Sequence, residues 1–210
     1  MEENYSRAAT MNLIGGALCL DFTNTVGGRR DTGVIEDKLN GYSDLIAWSR
    51  HTGTLTEAEA RNLTREAARR PAEANETFER AIALREALYR IFTALTEGSS
   101  PKAADIAVLN VELSQALAHS ELVAAGEGFT WSWSHRRDAL DLVLWPIARS
   151  AAELLTSPDL ARVRECAGDS CGWLFVDTSK NRSRRWCDMS DCGNRAKARR
   201  HYARARAATE

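Results

Sequence analysis

The segments CAGDSC at residues 166–171 and CDMSDC at 187–192 place four cysteines in two matched pairs, with four residues inside each pair and fifteen between pairs. A tetrahedral d¹⁰ zinc ion takes soft thiolates, so each pair must turn tightly enough to bring two sulfurs to one ion. Short spacers meet that need. The four-residue spacer lies at the long end of the usual range, and the fifteen-residue separation matches zinc ribbons and related fingers. Turn formers fill both spacers: Gly168, Asp169 and Ser170 in the first, Asp188, Ser190 and Asp191 in the second. Four thiolates close the shell and leave no open position for water. The expected cofactor is therefore one structural Zn²⁺, held by Cys166, Cys171, Cys187 and Cys192.

Two disulfides would use the same four residues, but they need an oxidising compartment. The start of the chain, MEENYSRAATMNLIGG, has no basic segment followed by an apolar stretch of export-signal length, so a cytoplasmic protein is expected. Four unligated thiols are a second alternative. Against it, four of the five cysteines fall within residues 166–192. Cys19, between Leu18 and Leu20, reads as a buried apolar filler. His201 is the nearest imidazole, nine residues past Cys192, and is the weaker alternative to a fourth sulfur.

Net charge is −1 over 210 residues, and the distribution says more than the total. From residue 161 onward there are 12 Lys or Arg against 6 Asp or Glu, which leaves 16 against 23 in the rest. A basic tail on an acidic body suggests that the tail meets a polyanion. The loop Lys180-Asn181-Arg182-Ser183-Arg184-Arg185-Trp186 alternates guanidinium groups with short polar residues and ends in an indole, which suits phosphate contacts and one aromatic face. The run GNRAKARRHYARAR, residues 193–206, is free of proline and rich in Ala and Arg. It reads as a helix that starts just after the last cysteine.

Cations wrap most of that helix, with Arg195, Arg199, Tyr202 and Arg206 on one face and Lys197, Arg200 and Arg204 in neighbouring rows. The expected nucleic-acid contacts are Lys180, Arg182, Arg184, Arg185, Trp186, Asn194, Arg195, Lys197, Arg199, Arg200 and Arg204. A merely solvated arginine helix is the plain alternative. Phosphate attraction carries no base information, so these residues suit DNA or RNA alike.

Cys192-Gly193-Asn194-Arg195, after Arg185-Trp186-Cys187 and before Lys197 and Arg199, resembles the signature of the CGNR zinc-finger family. Leu18-Cys19-Leu20-Asp21-Phe22-Thr23-Asn24-Thr25 resembles the opening of the ABATE domain that precedes this finger in the family. The resemblance spans nearly the whole chain. It implies a bacterial stress-responsive transcription regulator, zinc bound by the four cysteines, and a finger that contacts DNA.

The body reads as α+β: predominantly helical with a few short strands, followed by a small four-cysteine finger, knuckle- or ribbon-like, that ends in the basic helix. Ser157-Pro158 marks the expected boundary, with a body at residues 1–157 and a finger at 158–210. Residues 17–23 suggest a short strand, and Gly27, Gly28 and Gly33 an irregular loop. Helices are expected from Tyr42 to before Gly53, from a Thr56/Glu59 capping box to about Arg70, and over 72–97 as the main core helix. Another should run to about His119 with Ile106, Leu109, Leu113 and Leu117 inward. A hairpin of 121–124 with 129–133 follows, its Phe129, Trp131 and Trp133 alternating with polar residues. A last helix over 138–155 contains Pro146 and should kink there or begin later.

No apolar stretch approaches a membrane span, so no membrane partner is expected. No phosphate loop, dinucleotide fingerprint or nucleophile elbow appears, and a non-enzymatic chain is expected. Asp21, Asn24, Thr25 and Arg29 cluster beside a glycine loop, where they could bind a small-molecule effector or simply cap helices and hold turns. The body is expected to sense a signal or to form a homodimer. In an alternative reading the chain is a protein-interaction or scaffold module, and the finger docks on the acidic body through Arg195 and Lys197.

Overall fold

A computed structural model describes residues 6–30, 36–133 and 138–207. Gly33 lies outside the described residues. Beyond a short 3₁₀ turn, the first element is α1, Leu18–Thr23, a buried helix. It lies where a strand is expected from the sequence. A short apolar run has no diagnostic period, and here Asp21 accepts the Gly15 amide at 2.8 Å, which turns the entering chain back on itself. Strands β1, Val26–Gly27, and β2, Glu36–Asp37, pair antiparallel beside it.

Helix α2, Tyr42–His51, stops before Gly53 as expected, and α3, Glu57–Arg69, begins at the Thr56/Glu59 capping box. In that box Glu59 N donates to Thr56 Oγ1 at 3.2 Å while Thr56 N donates to Glu59 Oε2 at 2.8 Å. Helix α4, Pro71–Thr96, has proline in its first turn, where the missing amide costs nothing. Its Leu84, Leu88, Ile91 and Phe92 are buried, and α1, α2, α5 and the finger all pack on it.

Helix α5, Ala103–Ala118, packs Ile106, Leu109 and Leu113 on the core as expected, and its buried row is Asp105, Leu109, Glu112 and Ala116. Leu117 is exposed. On the side facing α4, Arg90 reaches Asp105 at 2.6 Å and Arg80 reaches Glu112 at 2.7 Å, so two paired carboxylates are buried beside the apolar row. Strands β3, Ser120–Ala125, and β4, Gly128–Trp133, form the expected hairpin, with Leu122 opposite Trp131 and Ser120 opposite Trp133. Trp133 tilts onto Trp145 at 5.8 Å, yet Phe129 is 77% exposed, so the outer half of this face is open to solvent.

Helix α6, Trp145–Leu155, begins late and carries Pro146 in its first turn, after a 3₁₀ turn at Leu140–Val143. It fills the space between α1 and α5. After a 3₁₀ turn at Pro158–Arg162, capped by Ser157, the finger opens with the antiparallel strands β5, Val163–Glu165, and β6, Leu174–Val176. Val163, Leu174 and Val176 belong to the same apolar core as α1, α4 and α6. A π turn at Met189–Gly193 leads into α7, Asn194–Ala207. The fold is thus mostly helical with short strands, and a four-cysteine cluster lies near its C-terminal end. Among the described residues, no helix is long and apolar enough to cross a membrane.

Candidate metal centre and nucleic-acid interface

The two cysteine pairs arrive from different local structures. The spacer that follows β5 returns the chain into β6, with Cys171 N bonded to Gly168 O at 3.1 Å and Cys166 N to Trp173 O at 2.7 Å. The second spacer is set by Asp188, which accepts the Ser190 amide at 2.7 Å and starts the π turn that carries Cys192. All four sulfurs lie within 4.8 Å of one another. Cys166, Cys187 and Cys192 are buried and Cys171 is partly exposed.

The donor set fits zinc. Four thiolates about 2.3 Å from one ion at tetrahedral corners have sulfur–sulfur edges of about 3.8 Å. Here Cys171 and Cys187 are 3.6 Å apart, and Cys187 and Cys192 are 3.7 Å apart. A tetrathiolate around a dication remains doubly negative, and N–H groups aimed at sulfur offset that charge. Gly168 N and Cys187 N donate to Cys166 Sγ at 3.4 and 3.3 Å, and the Arg195 guanidinium donates to Cys192 Sγ at 3.1 Å.

Hydrogen bonds from the Cys171 and Cys187 thiols, with those amides, draw Cys166 far below the usual thiol range. Hydrogen bonding to Cys166 pushes Cys171 up, and Cys187 rises for the same reason. The cluster is a structural zinc centre, and its closed shell leaves the protein's other residues to supply any contact with a partner.

The basic loop is shaped by Asp177, a buried carboxylate at the end of β6 that the sequence reading passed over. It accepts Ser179 N at 2.9 Å and Arg184 N at 3.0 Å, and Arg182 at the loop tip takes a left-handed conformation with φ 50°. Lys180, Arg182 and Arg185 are exposed. Arg184 is not: its guanidinium lies 4.3 Å over the Phe175 ring and donates to the carbonyls of Trp186 and Cys187, so it braces the finger from within.

Trp186 joins loop to helix, with the Arg185 guanidinium 5.3 Å and the Arg200 guanidinium 6.0 Å from its ring. On α7, Asn194 bonds back to Ser190 O at 3.0 Å, Arg195 pairs with Asp191 at 3.1 Å, and Arg199 pairs with Asp169 at 3.0 Å. Lys197, Arg200 and Arg204 point to solvent. His201 is exposed and lies outside the metal-capable cluster of the described residues.

Of Asp21, Asn24, Thr25 and Arg29, Asn24 is the residue that grips the finger, while Asp21, Thr25 and Arg29 bond to groups of the body. The Asn24 amide grips the Leu174 peptide both ways: Nδ2 donates to Leu174 O at 2.8 Å, and Leu174 N donates to Oδ1 at 2.9 Å. Thr25 Oγ1 donates to Phe22 O at 2.8 Å. Arg29, its side chain 8% exposed, holds Glu86 of α4 at 2.8 Å and stacks 3.9 Å over Tyr89. Trp173 Nε1 donates to Val26 O at 2.8 Å, and Arg30 pairs with Glu165 at 2.9 Å. The sequence flags Asn24 but cannot supply its partner, since Leu174 lies 150 residues on. Above this junction a cleft of about 270 Å³ separates body from finger; Asn12, Gly28, Lys38 and Trp173 line it together with Cys171 and Cys187.

A buried tetrathiolate that anchors a cationic loop and helix to a helical body defines a structural zinc-finger protein. A family model named ABATE, described as "Putative stress-induced transcription regulator", matches residues 16–158, and the CGNR zinc finger matches residues 162–205. The chain belongs to the ABATE family and carries the CGNR finger after it. No curated protein matches it.

Proposed function

We propose that the chain is a bacterial, cytoplasmic, non-enzymatic transcription regulator that responds to stress and binds DNA through its zinc finger. The family matches support a regulator. The observation that carries the DNA reading is the surface beside the metal: Lys180, Arg182, Arg185, Lys197, Arg200 and Arg204 have no carboxylate partner among the described residues. Unpaired cations gathered on one loop and one helix gain more from phosphates than from the body. In this reading the ion's task is to hold the π turn, so that α7 and the loop meet at Trp186.

Six phosphate contacts on duplex DNA give a log-affinity against log-salt slope of about −5, from roughly −0.9 per contact. Titrating the zinc-loaded chain into duplex DNA at several salt concentrations tests this. A slope near zero, or no binding at low salt, overturns the reading.

The scaffold reading rests on the Asn24–Leu174 and Trp173–Val26 contacts, which do seat the finger on the body. It also called for Arg195 and Lys197 to pair with body carboxylates. Arg195 instead pairs with Asp191 of the finger itself. Docking through β6 leaves the cations free, so a seated finger and a DNA-binding finger are compatible. Any effector or dimer contact belongs to the body in this reading.

A further inference from the structure

We propose that Cys171 is an oxidation site: a hydroperoxide entering the body–finger cleft converts Cys171 and Cys187 to a disulfide and dismantles the zinc centre. Three independent features of the site lead there. Cys171 is the one ligand sulfur whose residue is partly exposed, while the other three are buried. The cleft of about 270 Å³ opens onto Cys171 and Cys187 and onto neither of the other two ligands. The Cys171 and Cys187 sulfurs lie 3.6 Å apart, so a resolving thiolate waits beside the one that is reached first.

The chemistry balances with hydrogen peroxide as oxidant. The Cys171 thiolate attacks one peroxide oxygen, the O–O bond breaks, and a sulfenic acid and hydroxide result. The Cys187 thiolate then displaces a second hydroxide from that sulfur and closes the S–S bond. Two sulfurs lose two electrons, the peroxide gains them, and two protons from solvent complete two waters. The cluster thereby loses two of its four thiolates.

The consequence falls on α7. It packs chiefly on the π turn that carries Cys192, whereas β5 and β6 remain fixed in the body's apolar core. Oxidation should thus free the basic helix and leave the body folded. That this switches off DNA binding rests on the function proposed above.

The test uses the full chain, reduced and zinc-loaded, treated with equimolar hydrogen peroxide. Zinc release is read with a chromogenic chelator and the disulfide is located by peptide mass mapping. The expected result is one zinc lost per chain, a Cys171–Cys187 bond, and recovery on adding thiol reductant and zinc. Asn12→Trp, at the exposed rim of the cleft, should slow release several-fold without lowering zinc content. A first disulfide between other cysteines, zinc retained under a large excess of peroxide, or an unchanged rate in Asn12→Trp overturns the proposal.

Cys19→Ser should change nothing, because Cys19 is fully buried and its thiol is pushed up to about 12 by that burial. Failure of the two ideas is separable. If the reduced chain does not bind DNA, the functional reading falls while zinc release and the disulfide map still decide the switch. If DNA binding is present and survives peroxide with zinc in place, the switch alone falls.

Discussion

Asn24 satisfies both polar groups of the Leu174 peptide inside the molecule, so truncating it strands a buried donor and a buried acceptor at once. Each orphan costs about 1–3 kcal/mol, and Asn24→Ala should therefore destabilise the chain by about 2–6 kcal/mol in denaturant unfolding. Asn24→Asp should fare no better near neutral pH, because it turns a carboxylate oxygen toward the Leu174 carbonyl. A loss under 0.5 kcal/mol would mean that Asn24 is not what seats the finger.

Ionisable residues at the same junction set the acid response. Burial pushes Glu86 up, but the Arg29 hydrogen bond and the Arg29 and Arg85 charges outweigh it, so its carboxyl lies below the ordinary value. Asp177 is likewise lowered, with desolvation overcome by bonds from Ser179 and Arg184. A carboxyl depressed on folding contributes stability that is complete above its unfolded pKa and is lost as pH falls through the folded one. Asp21 works in the opposite sense, raised first by burial. Thermal stability should decline below the ordinary carboxylate range, and Glu86→Gln should flatten that decline; an unchanged pH profile would count against it. Residue identity made Asp21, Asn24 and Thr25 visible in the sequence, but capping and ligand binding draw on the same side chains, and only the distant peptide distinguishes them.

Among the elements, α7 depends most on the metal. Its residues are largely exposed, and it offers little apolar surface beyond alanines and Tyr202, so its support is the π turn and two ion pairs. Chelation should remove hydrogen-exchange protection from residues 194–207 while leaving α4 protected. Equal loss in both elements would show that the ion stabilises the whole chain. Gly168 allows a finer test, since a Cβ there would meet Cys192 Sγ at 3.3 Å and Cys171 Cβ at 3.2 Å. Gly168→Ala should weaken zinc affinity by about tenfold, in the range of changes that disturb ligand positioning. Competition with a chromogenic chelator measures it.

Elements with strong local signals were legible. The Thr56/Glu59 box, the apolar period of α4 and the turn residues of β3–β4 all act within a few positions. Elements whose form depends on distant partners were not. Helix α1 is fixed by its burial against α4 and α6, the buried carboxylates of α5 are held by arginines on α4, and the three-residue strands β5 and β6 are too short to alternate visibly.

At the scale of the molecule, body and finger share one apolar core, because Val163, Leu174 and Val176 pack with residues from α1, α4 and α6. Leu88→Ala, at the buried centre of α4, should cost about 2–5 kcal/mol. Because the finger's hairpin is part of that core, calorimetry of the zinc-loaded protein should show one transition for both parts. Two resolved transitions would mean that the hairpin contacts are weak. The Ser157-Pro158 break suggests a boundary, but the sequence could not reveal that apolar side chains beyond it complete the core before it.

Ribosomes deliver this protein from its first residue, and β6 emerges after all the helices of the body. Until Leu174 and Val176 arrive, α1 lacks a wall and Asn24 faces solvent with nothing to grip. A nascent chain stalled anywhere before residue 174 therefore carries an uncovered apolar face, and holding chaperones should dwell on it until the last strand is made.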